Sequence, residues 1–257
     1  MTRRVAGSGE ITRVPDDLIV EEPLEIRLDD RLVTTTMRTP GHDFELAVGF
    51  CFTEGLLAGA PVVSCRYCGT GSAVETEFNV VSVETGGRAP EPEARLRPIS
   101  SSCGICGSAS IDDLVARLAP VSRYEPWDVT TLTGVSDAAS ARQELFGSTG
   151  AVHAAAAFER NGTILDLRED IGRHNAVDKV VGRMLLDDRL PASDRGLFVS
   201  GRASFEMVQK AWAAGFEVVV AVSAPSALAV ETAQVAGITL AGFARGGALN
   251  LYTGPEA

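Results

Sequence analysis

The sequence is poor in cysteine and contains no long apolar segment. Its five cysteines are an odd number in a chain of 257 residues, which is long enough to bury a hydrophobic core without disulfide bonds. No run of about 18 apolar residues occurs, so the sequence predicts no membrane span. The N-terminal stretch MTRRVAGSGEITRVPDDL contains no apolar core of a secretion signal. These absences favour a cytoplasmic, reducing setting.

Basic residues are also scarce. Acidic residues outnumber them by 34 to 23, which gives a formal net charge of -11. Because nucleic-acid binding depends on neutralising backbone phosphates, this balance argues against an extended nucleic-acid contact. A small anionic ligand held by a few local arginines is compatible with it.

The N-terminal part is predicted to be a β-rich subdomain over residues 1–98. Alternating apolar and charged residues predict a hairpin over 18–36 and a strand over 73–84. Between them, a Thr-Pro-Gly turn at 39–41 precedes the spacing of an amphipathic helix. The stretch 85–98 is rich in proline and glycine, so the boundary is placed there.

Residues 99–257 are predicted to form a layered α/β domain, because strands and helices alternate along this part of the chain. The Asn161-Gly162 pair between two strand-like segments is a strong hairpin signal. Gly215 and Gly237 each follow a helical pattern and are expected to close those helices.

Four strand ends in this domain are followed by short polar turns that contain glycine or serine, within IGRH, VSGRAS, VSAPSA and FARGGA. Ligands of open α/β sheets bind beyond the carboxyl ends of strands, where helix N-termini offer free N–H groups to anions. The turns therefore predict a phosphate or pyrophosphate site, with Arg173, Arg202 and Arg245 in or beside three of them. The residues predicted to contact the ligand are His174, Ser200, Gly201, Arg202 and Ser223. Ordinary turn geometry also favours glycine and serine, so the pattern alone leaves both interpretations open.

Cys103 and Cys106 lie in the stretch SSSCGICGSA, just before a helix predicted over 111–118. The glycines allow a bulky partner to approach the thiols, and the nearby helix N-terminus favours the thiolate. Since a thiolate attacks sulfur and also binds metals, both chemistries are open to this pair.

A second Cys-x-x-Cys pair, Cys65 and Cys68, suits a four-thiolate zinc site in ligand type. The interval between the two pairs exceeds the spacing of about 15–20 residues in common zinc motifs, which argues against zinc. A thioredoxin-like role is disfavoured because that motif follows an early strand of a βαβ unit. Cys51 is predicted to be a core residue on the apolar face of a helix.

Seven segments, in order from about residue 39 to residue 253, resemble the signature blocks of the formate dehydrogenase accessory sulfurtransferases, the FdhD family. The segments are TPGHDFELAVGFCFTEGLL, SSSCGICGSASI, VHAAAAF, REDIGRHNAVDKVVG, VSGRASFEMVQKA, VSAPSALAVETA and GFARGGALNLYT. An ordered series over nearly the whole chain is far more specific than a lone Cys-x-x-Cys.

The resemblance implies a sulfur carrier without a permanent cofactor. Such a protein accepts sulfur from a cysteine desulfurase as a persulfide on Cys103. Because neighbouring sulfurs exchange, Cys106 is a second catalytic candidate, which either resolves the persulfide into a disulfide or holds the sulfur. It passes the sulfur to the molybdenum of bis(molybdopterin guanine dinucleotide), which then enters formate dehydrogenase. A symmetric homodimer is expected from the resemblance and from the frequency of two-fold oligomers. The cofactor-binding segment of the family corresponds to Phe243, Ala244, Arg245, Gly246, Gly247 and Ala248.

The resemblance also implies that the C-terminal fold is similar to that of cytidine deaminases, which raises a zinc hydrolase as a second hypothesis. Deaminase sites need His-x-Glu or Cys-x-Glu and a Pro-Cys-x-x-Cys motif. The matching stretch here is His153-Ala154-Ala155 and no Pro-Cys-x-x-Cys follows, so hydrolysis is rejected and His153 is expected to be a hydrogen-bonded strand residue. A third hypothesis is a non-catalytic cofactor chaperone with a four-cysteine zinc site.

Overall fold

A computed structural model describes residues 2–5, 7–68, 78–91, 111–121 and 125–255. Over these residues the protein is mixed α/β, with two mixed sheets, a separate hairpin and seven helices. This architecture confirms the predicted α/β class. Within the same ranges no helix combines the length and apolar character that a bilayer crossing requires. The boundary predicted between residues 98 and 99 lies outside the described residues.

The N-terminal part combines β-strands with one helix. Its elements are the strands β1 (Thr2–Val5), β2 (Ile11–Val14), β3 (Glu22–Leu28), β4 (Arg31–Arg38), β5 (Ser64–Tyr67) and β6 (Val80–Glu84), and the helix α1 (Asp43–Thr53). Strands β1 and β2 pair with each other, and the other four form a sheet in the order β4-β3-β6-β5. Every second residue of β3 is buried, namely Leu24, Ile26 and Leu28, because one face of this sheet packs against α1.

The hairpin predicted over 18–36 is confirmed as β3 and β4, joined by Asp29 and Asp30. Both aspartates have positive φ, 47° and 62°, as a two-residue turn between twisted antiparallel strands requires. The Asp29 carboxylate accepts hydrogen bonds from the Thr85 N–H at 2.7 Å and its Oγ1–H at 2.5 Å. The turn therefore also fixes the segment that follows β6.

The C-terminal part is built around a six-stranded sheet. Its elements are α2 (Ile111–Arg117), α3 (Val129–Ser140), α4 (Glu144–Thr149), β7 (His153–Glu159), β8 (Ile164–Asp170), α5 (Arg173–Leu186), β9 (Arg195–Val199), α6 (Phe205–Ala214), β10 (Val218–Ala221), α7 (Ala227–Ala236), β11 (Thr239–Arg245) and β12 (Ala248–Thr253). The strand order is β12-β11-β10-β9-β7-β8. Strands β9, β10 and β11 are mutually parallel, whereas the outer pairings are antiparallel. The predicted helix ends at Gly215 and Gly237 are confirmed, since both glycines are left-handed.

Helices cover both faces of this sheet. Ala155, Leu197 and Val219 belong to one hydrophobic cluster with residues of α5, α6 and α7. Their neighbours Ala156, Phe198 and Val220 point the other way and join a second cluster with residues of α3. Because successive strand residues face opposite sides, one apolar sheet serves two helical layers.

Helix α1 of the N-terminal part crosses α5 at a pair of glycines. A Cβ added to Gly49 would lie 2.8 Å from the Gly182 nitrogen and would overlap the Asp178 carbonyl group. A Cβ added to Gly182 would overlap the Glu45 carbonyl group in the same way. The two helix backbones are therefore in direct contact, which only glycine at both positions permits.

Buried ion pairs reinforce the same junction. The Lys210 ammonium on α6 donates to both carboxylate oxygens of Asp178 on α5, at 2.9 and 3.0 Å. It also donates to Glu54 Oε1 at 3.0 Å and to Thr53 Oγ1 at 2.9 Å, at the end of α1. Since an unpaired buried charge is strongly destabilising, this network holds α1 against the C-terminal sheet in one arrangement.

Candidate functional site

The carboxyl ends of the parallel strands β9, β10 and β11 meet at one edge of the large sheet. Strand β7 runs antiparallel to β9, so its first residue, His153, lies at this edge. His153 pairs with Asp170 at the end of β8, which leads directly into α5. The structure therefore gathers all four polar turns into one region, the strand-end crevice.

His153 and the β9 turn are in contact inside the strand-end crevice. The Ser200 hydroxyl accepts the Ala154 N–H at 2.8 Å and lies 3.5 Å from His153 Nδ1. A Cβ added to Gly201 would sit 3.5 Å from Arg173 Cδ and 3.6 Å from His153 Nδ1. Burial lowers the pKa of His153, the Arg173 charge lowers it further, and Asp170 opposes them. The ring is therefore neutral at pH 7.

The lowered pKa of His153 predicts a loss of stability in acid. The unfolded chain takes up a proton near the ordinary value of 6.5, whereas the folded chain resists it until a lower pH. The free energy of unfolding should therefore decrease as the pH falls from about 7 through the folded pKa. Denaturant titrations over this range should give a shallower pH dependence for His153→Gln than for the native chain. An unchanged dependence would contradict the argument.

Two arginines in the strand-end crevice repel one another. Burial lowers the pKa of Arg173, the nearby charge of Arg202 lowers it further, and Glu206 raises it only in part. The Arg173 Nε atom is buried without a hydrogen-bond partner among the described residues. A half-buried guanidinium whose Nε has no described partner, beside a second cation, is an environment that an anion would stabilise.

Arg202 and Arg245 also lack a carboxylate at ion-pair distance within the described part of the chain. Several other arginines in that part are paired, as Arg38 is with Asp43 at 3.0 Å and Arg189 with Asp166 at 2.6 Å. At the carboxyl ends of the strands, the guanidinium groups of Arg202 and Arg245 are thus available to an anionic ligand that supplies the opposite charge.

The predicted cofactor segment 243–248 forms the β11–β12 hairpin. Gly246 and Gly247 are its two central residues and have φ of 58° and 73°, so turn geometry requires these glycines. The Ala244 side chain is fully buried, whereas Arg245 and Ala248 are exposed. Phe243 is 37% exposed, and its N–H donates to the Ser223 carbonyl, which ties this hairpin to the β10 turn.

A cavity of about 550 Å³ opens at the strand-end crevice. Its walls include Asp137, Ser140, Phe146, His153, Ser200 and Arg245. Of the predicted site residues, Ser200 and Arg245 line this cavity, while His174 and Arg202 lie near the first turns of α5 and α6. His174 is close enough for its charge to lower the pKa of Glu206.

One wall of the cavity, on helices α3 and α4, was not predicted from the sequence. The signal for α3 is present, because Asp128 caps the helix by accepting the N–H groups of Thr130 and Thr131 at 3.1 and 3.2 Å. Buried Leu132, Val135 and Ala139 follow at helical spacing. Threonine and glycine, which are poor helix formers, fill the first turns and obscure that pattern.

The two catalytic cysteine candidates, Cys103 and Cys106, lie outside the described residues. The chain is anchored after them, where the Trp212 indole N–H donates to the Ala119 carbonyl at 2.8 Å. Leu114 on α2 is fully buried in the C-terminal core. The first described residues after the cysteines therefore belong to the packed α/β domain.

The other three cysteines are free thiols. Cys51 is a core residue, as predicted, and burial raises its pKa. Burial likewise raises the pKa of Cys65 to about 12, with contributions from Cys68 and Glu84. Arg66 Nη1 lies 3.1 Å from Cys68 Sγ but also pairs with Asp30 and Glu84. In the described ranges no three side chains of His, Cys, Asp or Glu form a metal-binding group.

This chain has close relatives over almost its full length. A family model described as the FdhD/NarQ family matches residues 19–257. Sulfur carrier protein FdhD of Mycolicibacterium paratuberculosis is 47% identical over 96% of this chain and 93% of its own. Its counterpart from Streptomyces coelicolor is 47% identical over 96% and 91%. A crystal structure described as a formate dehydrogenase accessory protein from Desulfotalea psychrophila aligns with a TM-score of 0.78 at 25% identity, covering 99% of this chain and 96% of that one.

Proposed function

This chain belongs to the FdhD/NarQ family, and from that premise we propose that it is a sulfur carrier, a sulfurtransferase that serves the maturation of formate dehydrogenase. The observation that carries the proposal is the 47% identity, over 96% of the chain, to proteins named sulfur carrier protein FdhD. The match includes the region of both Cys-x-x-Cys pairs, because the family model spans residues 19–257.

Cys103 is the proposed sulfur acceptor. Its thiolate attacks the terminal sulfur of a persulfide on a cysteine desulfurase, the sulfur–sulfur bond of that persulfide breaks, and the donor cysteine leaves as a thiolate. The product is a persulfide on Cys103, so no external oxidant or reductant is needed. Cys106 assists by exchange with this persulfide. The raised pKa values of Cys51 and Cys65 favour Cys103 over these two thiols.

The strand-end crevice is the proposed binding site for the sulfur acceptor, bis(molybdopterin guanine dinucleotide), which is a substrate rather than a resident cofactor. Its two pyrophosphate groups are polyanionic, and Arg173, Arg202 and Arg245 supply the complementary charge. The neighbouring N-terminus of α5, which has no side-chain cap, presents free backbone N–H groups. His174, Gly201 and Ser223 belong to the same turns and complete the proposed contacts.

Removing one of these cations should weaken the binding of a nucleoside diphosphate. We expect Arg245→Gln to raise the Kd for guanosine diphosphate, measured by titration calorimetry, by about tenfold or more, because hydrogen bonds to charged groups contribute about 1.5–3 kcal/mol. Arg13→Gln removes the same charge from an exposed strand far from the crevice in sequence and is the matched control. Equal affinities for the two variants would refute the assignment of the crevice.

The proposed partners are a cysteine desulfurase, formate dehydrogenase and a second copy of this chain. The proposed location is the cytoplasm. The likeness of the C-terminal domain to the cytidine deaminase fold is part of the same proposal. The layered helix–sheet–helix arrangement supports it, while the stretch His153-Ala154-Ala155 lacks the glutamate that deamination needs.

Intact-mass spectrometry separates the carrier from a non-catalytic chaperone with a four-cysteine zinc site. After incubation with cysteine and a desulfurase, a carrier gains one sulfur mass that a reductant removes. The chaperone would gain no sulfur and would contain zinc by elemental analysis. That second result would refute the proposal.

A further inference from the structure

The cavity at the strand-end crevice has walls of opposite character. Arg245 and His153 lie on the side of the strand ends, whereas Asp137 and Ser140 lie on α3. A volume of about 550 Å³ accommodates a nucleotide-sized ligand. A ligand that fits both walls carries an anionic group at one end and hydrogen-bond donors at the other.

Asp137 is available to bind such donors. Its main-chain carbonyl accepts the Ala141 N–H at 3.0 Å within the helix. Its carboxylate has no hydrogen bond or ion pair with any described residue. Ser136, Asp137 and Ser140 all line the cavity, as positions three and four apart on one helix face do. Asp137 is therefore an exposed residue of the cavity wall whose carboxylate has no partner within the described ranges.

A carboxylate distinguishes the nucleobases by their donor patterns. Guanine presents two adjacent donors, N1–H and the 2-amino group, which two carboxylate oxygens accept together. Adenine and cytosine place a ring-nitrogen acceptor beside their single amino donor, so the second carboxylate oxygen would face a lone pair. Uracil offers one N–H between two carbonyl acceptors. Guanine alone among these bases satisfies both oxygens.

A second residue supplies a surface for the face of a base. Phe146 on α4 lines the same cavity, and 49% of its surface is exposed. A large apolar side chain left half exposed in a cavity is suited to stacking against an aromatic ring. The edge and the face of a bound base would then be contacted by neighbouring helices of one wall.

We propose that Asp137 is the residue that selects guanine, with Phe146 stacking on the base and Arg245 on the phosphate side of the cavity. The proposal rests on the proposed function, since it places one guanine nucleotide of the cofactor in this cavity. It adds a specificity-determining contact from the helix that sequence reasoning missed.

The test compares nucleoside diphosphates by titration calorimetry on the full chain. The native protein should bind guanosine diphosphate at least about tenfold more tightly than inosine or adenosine diphosphate, because inosine lacks the 2-amino donor. Asp137→Asn should lose that preference and gain affinity for xanthosine diphosphate, whose 2-carbonyl group accepts from the new amide. Binding of xanthosine diphosphate by Asp137→Asn would also show that this variant is folded.

Glu231→Gln, an exposed α7 position that does not line the cavity, is the control for the change of charge. Phe146→Ala should weaken the binding of every nucleoside diphosphate without changing the ratios of their Kd values. If Asp137→Asn binds guanosine diphosphate as tightly as Glu231→Gln does, the role of Asp137 is refuted. The assignment of the crevice as the binding site would still hold if Arg245→Gln weakens binding. If the native chain binds no nucleoside diphosphate, both the crevice assignment and the selection of guanine are refuted.

Discussion

Replacement of Cys103 by alanine is expected to abolish sulfur loading completely. The proposed acceptor is a single thiolate, and alanine has no atom that can form a sulfur–sulfur bond. Incubation with cysteine and a desulfurase, followed by non-reducing intact-mass spectrometry, should add one sulfur mass to the native chain and none to Cys103→Ala. Formate dehydrogenase produced with this variant should be inactive for the same reason.

The other cysteines provide matched controls for this result. Cys51→Ala and Cys65→Ala should load sulfur normally, because burial raises the pKa of both thiols and keeps them protonated. Cys106→Ala should still acquire sulfur on Cys103. If exchange between the neighbouring sulfurs contributes, the later transfer of that sulfur to the acceptor should change in this variant. Undiminished loading of Cys103→Ala, or loss of loading in Cys65→Ala, would refute the assignment of the acceptor.

Replacement of Gly182 by alanine is expected to destabilise the protein by about 3 kcal/mol, at the upper end of the range for overpacked cores. The added methyl group would overlap the Glu45 carbonyl group on α1, and a backbone group cannot rotate away as a flexible side chain can. Helices α1 and α5 would have to separate, which would also strain the buried contacts of Asp178 with Thr53 and Lys210. Chemical denaturation monitored by circular dichroism measures the change.

Gly134→Ala is the matched control for this substitution. Gly134 lies inside α3, is exposed, and has no atom within 4 Å of an added Cβ. Alanine there should raise the free energy of unfolding by up to about 1 kcal/mol, because alanine favours the helix. The same substitution is thus expected to lower the free energy of unfolding at Gly182 and to raise it at Gly134. Equal effects would show that the helix crossing tolerates a side chain.

Sequence patterns predicted most of the local structure because the signals involve neighbouring residues. The Asp29-Asp30 turn, the glycine after α6 and the glycine after α7 all depend on backbone conformations that few residues adopt. The alternation of strands and helices in the C-terminal part was predicted in the same way. Helices α3 and α4 were missed because weak helix formers hid their periodicity.

Contacts between distant segments could not be predicted in this way. Arg168 forms a salt bridge with Glu45 across 123 positions of sequence, and Lys210 binds Thr53 across 157. Nothing in the local composition distinguishes these residues from solvated charges on helix and strand surfaces. Their pairing follows from the direct contact of α1 with α5 at Gly49 and Gly182.

The sequence by itself determined the fold class, the polar turns after the strands and the ordered blocks that led to a sulfur carrier of the FdhD/NarQ family. Each of these depends on adjacent residues or on the order of short segments along the chain. Only the tertiary structure decided that the turns converge, that Arg202 and Arg245 lack acidic partners in the described chain, and that Asp137 and Arg245 line one cavity. The reason is physical: burial and charge pairing depend on which surfaces meet when the sheet and its helices pack, and residues far apart in the chain supply those surfaces.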